Sequence, residues 1–214
     1  MSEKIPAGPA IQAQSRKNKI LLLLLLASFV IPFIVGEFAY KKHWYKGGET
    51  NKGQLLQPPL AFADLQARAA DGKVLDASFA KDSWWMLYVL PADCAAACRN
   101  RLFQMRQSPL ALGKEGDRLR AVLVVTGPVA AETEALLQKE FSGFLRIDAS
   151  VAQVDKVMAP AASTASQAGL LYLMDPMGWI MLTYPPEADE KTSIIRAEDA
   201  LDDLRKMLKN SRIG

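Results

Sequence analysis

Apolar and polar positions divide the chain into a membrane-type segment and a globular body. Residues 20–36, "ILLLLLLASFVIPFIVG", carry no charge over 17 positions. As a helix they reach about 26 Å at ~1.5 Å per residue, the short end of what spans a bilayer. Phe38, Tyr40, Trp44 and Tyr45 follow where interfacial aromatics sit. Pro32 is tolerable within such a helix. A secretory leader has a shorter apolar core and a small-x-small cleavage site, and 37–40 offers none. The pattern predicts an uncleaved transmembrane helix over 20–36, behind a disordered tail over 1–19. Residues 37–60 read as a juxtamembrane segment and tether, rich in Gly and polar residues and ending in Pro58-Pro59.

The body, predicted over 61–212, alternates buried-strand and helix patterns. Residues 62–69 fit either state. Asp71-Gly72 is a hairpin signal. Residues 84–90, "WWMLYVL", are continuously apolar and end at Pro91, as expected of a strand buried on both faces. A helix is predicted over 95–107 with Ser108-Pro109 as its stop. A second buried strand follows at 121–125. A further helix should run to about Phe141, with Pro128 in its first turn. Residues 161–168, "AASTASQA", read as a loop. Strands at 170–174 and 179–184 flank an Asp175-Pro176-Met177-Gly178 turn, so that pair is antiparallel. Ala197, Ala200, Leu201, Leu204 and Leu208 mark a last amphipathic helix. This order predicts an α/β fold, a mixed sheet covered by helices.

Charge sharpens the division. Residues 1–53 hold eight Lys/Arg against three Glu, a net of +5, whereas the whole chain is +3. The body is therefore −2, with no basic stripe, and nucleic acid is excluded as its partner. The lipid bilayer is the partner expected of 20–36. Four Lys/Arg lie within about 20 residues of each end of that helix, so charge alone does not orient it. Arg16, Lys17 and Lys19 lie closer to it, which favours the N-terminus inside and the body outside.

Cys94 and Cys98, in "PADCAAACR", are the only cysteines. They lie where a buried strand hands over to a helix, a favoured place for ligand and redox sites. A helix N-terminus stabilises a thiolate. Asp93 is a candidate N-cap and Arg99 a candidate counter-charge. If both cysteines are helical, their Cβ atoms are about 5–6 Å apart. A disulfide needs roughly 3.5–4.5 Å, so the first turn has to loosen before they bond. Two thiolates at the wider spacing suit Cu(I). Four readings stay open: a redox pair, a metal pair, a structural disulfide, and two inert core residues on a stripe with Leu102 and Met105.

Other candidates carry less. His43, the only histidine, lies in "KKHWY" and reads as interfacial. With no second histidine, the body has no Ser-His or Cys-His dyad. Gly127 and Gly178 belong to no phosphate-binding motif. Met86, Met158, Met174, Met177 and Met181 are core candidates that could supply a thioether, and Asp175 shapes its turn.

The anchor, the tether, "DGKVLDASF", "WWMLYVLPADCAAACRNRL", "AVLVVTG" and "GLLYLMDPMGWI" together resemble the Sco/SenC group over about residues 54–212. That resemblance implies a thioredoxin-like domain and a role in cytochrome c oxidase biogenesis. It implies copper as cofactor, held by Cys94 and Cys98. It implies a respiratory oxidase subunit or another membrane-protein client as partner. It also implies a single-pass protein of the bacterial inner membrane, with its C-terminal domain in the periplasm. The group's distal histidine has no match: "STASQAGLLYL" contains none, and Gln167 falls nearest. The prolines usual beside the cysteines are replaced by alanine and arginine. The pattern implies a divergent member in which Cys94 and Cys98 transfer copper or keep a client's copper-site cysteines reduced. Met158 or Met177 is a candidate replacement ligand. The alternatives are a general thiol–disulfide oxidoreductase, with Cys94 attacking and Cys98 resolving, and an interaction domain with a structural disulfide.

Overall fold

The structure is a computed structural model that describes residues 9–42, 50–161 and 169–211. The chain forms two units, 1–49 and 50–214. In the first, helix α1 runs over Pro9–Lys41. Within it, Arg16–Lys41 is long and apolar enough to cross a membrane, and its side chains are exposed. The helix therefore begins inside the stretch predicted as a disordered tail. The Ala, Gln, Arg and Lys residues that flank the apolar core are good helix formers and prolong it at both ends.

The second unit is built on one six-stranded mixed sheet. Its strands are β1 Gln54–Ala61, β2 Trp84–Leu90, β3 Leu119–Val125, β4 Leu145–Asp148, β5 Leu171–Met174 and β6 Trp179–Tyr184. Their order is β1-β6-β5-β2-β3-β4. Strands β2, β3 and β4 are parallel, and β5, β6 and β1 alternate antiparallel beside them. The helices are α2 Ala96–Leu112, α3 Ala131–Glu140, α4 Val151–Met158 and α5 Glu190–Asn210.

Every side chain of β2 is buried. Trp84, Met86, Tyr88 and Leu90 share one core with Leu102 and Met105 of α2, Leu137 of α3 and Leu204 of α5. Trp85, Leu87 and Val89 share the other core with Val154 and Met158 of α4 and with Phe62 and Leu65. That two-sided burial explains the unbroken apolar run, since a strand covered on both faces has no polar position.

Several boundaries differ from the sequence reading. The folded unit starts at Thr50, and β1 occupies the end of the segment predicted as tether. Pro58 and Pro59 suggested a linker, but β1 is an edge strand. Its pairing with β6 is irregular between Leu55 and Leu60, where both prolines lie and no ladder N–H is required. Helix α2 passes through Pro109 and ends at Leu112. Proline so close to the C-terminus gives up one hydrogen bond without ending the helix. Helix α3 starts at Ala131, past Pro128. Strand β4 lies in "LRID", too short to show a period, and helix α4 in "VAQVDKVM", where Val151, Val154 and Met158 stand at helical spacing behind the N-cap Ser150, a signal the sequence reading did not use. Residues 62–65 form a 3-10 turn, and Asp71-Gly72 makes its turn beside a single Arg68–Val74 bridge. The loop predicted over 161–168 lies outside the described residues except Ala161.

A buried carboxylate ties the start of this unit to its last helix. Asp203 accepts hydrogen bonds from the backbone N–H of Lys52 and Gly53 at 2.8 Å and from the Tyr184 hydroxyl at 2.9 Å. Gly53 must lack a side chain here, because a Cβ would lie 2.6 Å from the Tyr184 ring. Gly53→Ala is expected to cost about 1–3 kcal/mol through overpacking. Urea denaturation checks this: an unchanged midpoint would show that Tyr184 moves aside freely.

Candidate functional site

The cysteines lie at the carboxyl end of β2, as expected, but only Cys98 is helical. The chain bends through Ala92 and Asp93, and Ala95 is the N-cap of α2, with no side-chain cap. Asp93 is thus not the predicted N-cap; its carbonyl accepts from the Ala95 N–H at 3.2 Å. Keeping Cys94 outside the helix brings the two Cα atoms to 5.0 Å, and the sulfurs are bonded as a disulfide. The first turn has loosened in the way that bonding at this spacing demands.

The bend is fastened from two sides. Cys94 N–H donates to Thr133 Oγ1 of α3 at 3.0 Å, and Ala130 N–H donates to Ala92 O at 3.0 Å. Arg99 Nε donates to Cys94 O at 3.2 Å. Cys94 is 7% exposed and Cys98 4%. Cys94 lines a hollow of about 300 Å³ together with Asp93, Arg99, Glu132, Thr133 and Leu136. Cys98 does not line it. An incoming sulfur therefore meets Cys94 first.

Beneath the cysteines, α2 carries a buried polar network that its sequence does not advertise. Arg101, 2% exposed, donates through Nη1 to Gln104 Oε1 at 2.6 Å and through Nη2 to Pro185 O. Gln104 Nε2 donates to the Ser193 carbonyl and hydroxyl oxygens, each at 2.6 Å. Burial pulls the Arg101 guanidinium down to about 10, while Tyr88, Glu187 and Tyr184 oppose the fall. Burial pushes the Tyr88 phenol up to about 12, and Arg101 limits the rise. Burial also raises Tyr172 and Tyr184. The network ties the helix bearing Cys98 to the end of β6 and the start of α5.

The methionines do not gather at the cysteines. Met158 and Met174 belong to the core on the opposite face of the sheet. Met177 lies in the β5–β6 turn at the far end, since Trp85 pairs with Met174 whereas Tyr88 pairs with Leu171. Neither Met158 nor Met177 can serve as third ligand from these positions. Met86 is core and Met181 half-buried. Asp175 shapes its turn as expected, accepting from Met177 N–H at 2.9 Å and Trp179 N–H at 2.8 Å. Among the described residues, no group of three His, Cys, Asp or Glu converges as a metal site. His43 and Gln167 lie outside the described residues. Thr133, in "AAETEALLQKE", is the functional neighbour that sequence reasoning missed, because only the packing of α3 places it beside Cys94.

A family model described as transmembrane-like, thioredoxin-like, C-terminal domain matches residues 84–211. No curated protein matches the chain. Among solved structures, apo Sco1 from Thermus thermophilus superposes with a TM-score of 0.51 at 15% identity, covering 75% of this chain and 99% of that one. Yeast Sco1 with copper bound superposes with a TM-score of 0.50 at 17% identity, covering 77% and 96%. At these identities the likeness is one of fold, and the mixed sheet with its strand–helix junction is that shared fold.

Two outcomes follow from the site's geometry. Thr133→Val leaves the buried Cys94 N–H without an acceptor and is expected to cost about 1–3 kcal/mol in chemical denaturation; unchanged stability would mean that the bend finds another partner. Tyr88 is held protonated in the fold to about 12, against 10.0 ordinarily. Its contribution to stability is complete below the lower value and lost as pH rises through the upper one. In an alkaline titration, late phenolate absorbance should appear together with loss of ellipticity. Ionisation of all five tyrosines before unfolding would contradict this.

Proposed function

The chain belongs to the transmembrane-like, thioredoxin-like, C-terminal domain family, and on that footing we propose that it is a membrane-anchored assembly factor for a respiratory oxidase, keeping copper-site cysteines of its client reduced. The observation that carries this reading is the Cys94–Cys98 disulfide at the β2–α2 junction, with Cys94 at an open hollow and Cys98 behind it. The resemblance to Sco proteins supplies the client class. Helix α1 supplies the anchor, in a bacterial inner membrane with the C-terminal unit in the periplasm.

The chemistry is thiol–disulfide exchange. An upstream dithiol donor first reduces the Cys94–Cys98 bond and is itself oxidised. The Cys94 thiolate then attacks one sulfur of a client disulfide, and the other client sulfur leaves as a thiolate. Cys98, once deprotonated, attacks Cys94, reforms the intramolecular disulfide and releases the second client thiolate. Two electrons pass to the client in each cycle. Thr133 and Arg99 hold the backbone of Cys94 in place through these steps.

Delivery of Cu(I) is the second reading, with the metal as cargo. Once reduced, the pair presents two thiolates to a soft ion that two-coordinate sulfur suits. The oxidised pair offers no thiolate, so copper transfer and oxidation exclude one another at this site.

The full-length protein in detergent tests both readings against a structural disulfide. With an oxidised two-cysteine peptide as substrate, reduced wild type should reduce it. Cys98→Ser should accumulate a mixed disulfide through Cys94, and Cys94→Ser should be inert. Cu(I) titration against a competing chelator adds the cargo role if stoichiometric binding is lost in both variants. A disulfide that resists dithiothreitol, and whose removal only lowers stability by the ~2 kcal/mol of a short closed loop, would defeat the proposal.

A further inference from the structure

The hollow beside Cys94 has a larger groove as its neighbour. This groove, about 530 Å³, lies between α2, α5 and the end of α3. Arg99 and Leu136 line both spaces, so the two adjoin. Along α2 the groove extends from Arg99 to Ala111, about 18 Å of helix axis at ~1.5 Å per residue. Its apolar lining is Phe103, Leu136, Phe141, Ile194 and Leu201. Phe103 is 51% exposed and Ile194 58%. No element of the described chain covers them.

Charge at the groove is one-sided. Asp93, Glu132, Glu140, Glu190 and Glu198 line the adjoining spaces, against Arg99 alone. Arg106 borders them, but its guanidinium lies 5.3 Å from the Phe103 ring and 5.1 Å from the Phe141 ring and donates to the Glu140 carbonyl at 3.2 Å. Even with Arg106 counted, five carboxylates face two cations. Residues 54–214 together carry only −2, so acidic charge is concentrated here.

We infer that this groove is the client-docking surface of the dithiol site, and that its occupant is a basic amphipathic helical segment of the client protein. Three features define that occupant. The length suits about three turns of helix laid along α2, in the helix-in-groove mode. The apolar lining takes the segment's apolar stripe. The acidic rim pairs with Lys or Arg on its flanks and rejects an acidic one. The groove meets the Cys94 hollow at Arg99, so a client cysteine just beyond that end of the segment comes to the attacking sulfur. This inference rests on the exchange reading and assigns its substrate class.

The test uses the full-length protein in non-ionic detergent. The probe is a fluorescent peptide of about 15 residues with Leu at helical spacing and Lys on its flanks; the control replaces each Lys with Glu. Anisotropy should show the Lys peptide binding at least about tenfold tighter than the Glu peptide. Phe103→Asp and Ile194→Asp, at exposed positions, should each weaken the Lys peptide by about tenfold. Glu190→Gln with Glu198→Gln should weaken it and flatten its salt dependence. Reduction of Cys94–Cys98 by dithiothreitol should be unchanged in all of them. Equal binding of both peptides, or no effect of the groove variants, overturns the docking surface. So does concentration-dependent dimerisation that competes with the peptide, which assigns the groove to a second copy. Failure of dithiothreitol to reduce wild type removes the exchange reading instead, and that result is separate from the peptide arms.

Discussion

The fold depends on the complete burial of β2. Its seven side chains contribute on the order of 1.5–3 kcal/mol each when removed from water. That burial requires covers on both faces. Helices α2, α3 and α5 cover one face, and α4 with the Phe62–Leu65 turn covers the other. A strand so enclosed leads out of the core only at its ends. At the carboxyl end, Pro91 breaks the ladder and the chain must turn back over the sheet as α2. The cysteines occupy that turn, so the site's position is a consequence of how the core is closed.

Within the turn, one residue's conformation decides the chemistry. Had Cys94 been helical, it and Cys98 would have formed a stripe of separate thiols. Because α2 begins two residues later, Cys94 swings to bonding distance and also faces the hollow. The hydrogen bond from its N–H to Thr133 holds it there. An exchange partner is therefore met by one sulfur, with the other protected. The same bond leaves no free thiolate at the site while the pair is oxidised.

Reading the chain alone located the apolar N-terminal helix, the central strands, the β5–β6 pair, the last helix and the cysteine junction, because each has a strong local pattern. It placed β1 in a linker, because Gly, polar residues and two prolines mark the segment as a tether; only an edge position makes the prolines admissible. It missed β4, whose four residues are too few to show a period, and α4, whose helical spacing of Val151, Val154 and Met158 runs over only eight residues. It stopped α2 at Pro109, where the loss of one terminal hydrogen bond is outweighed by packing. Of the site, Cys94 and Cys98 were legible because they are unique. Met158 and Met177 were plausible by element type, yet the sheet puts one on the opposite face and the other at the opposite end.

By itself the sequence determined the split into an apolar basic N-terminal segment and an α/β body, and the cysteine spacing. These are properties of composition and period, which local chemistry sets. The tertiary structure decided that the cysteines bond, that Thr133 steadies the turn, and that Arg101 and Asp203 are buried. It also decided that an acidic, apolar groove opens beside Cys94. The disulfide is local, but the contacts that set the turn and bury these groups join residues far apart in the chain, as in the pairing of Lys52 with Asp203 and of Cys94 with Thr133. Such pairings arise only when the helices pack onto the sheet, and no local pattern encodes them.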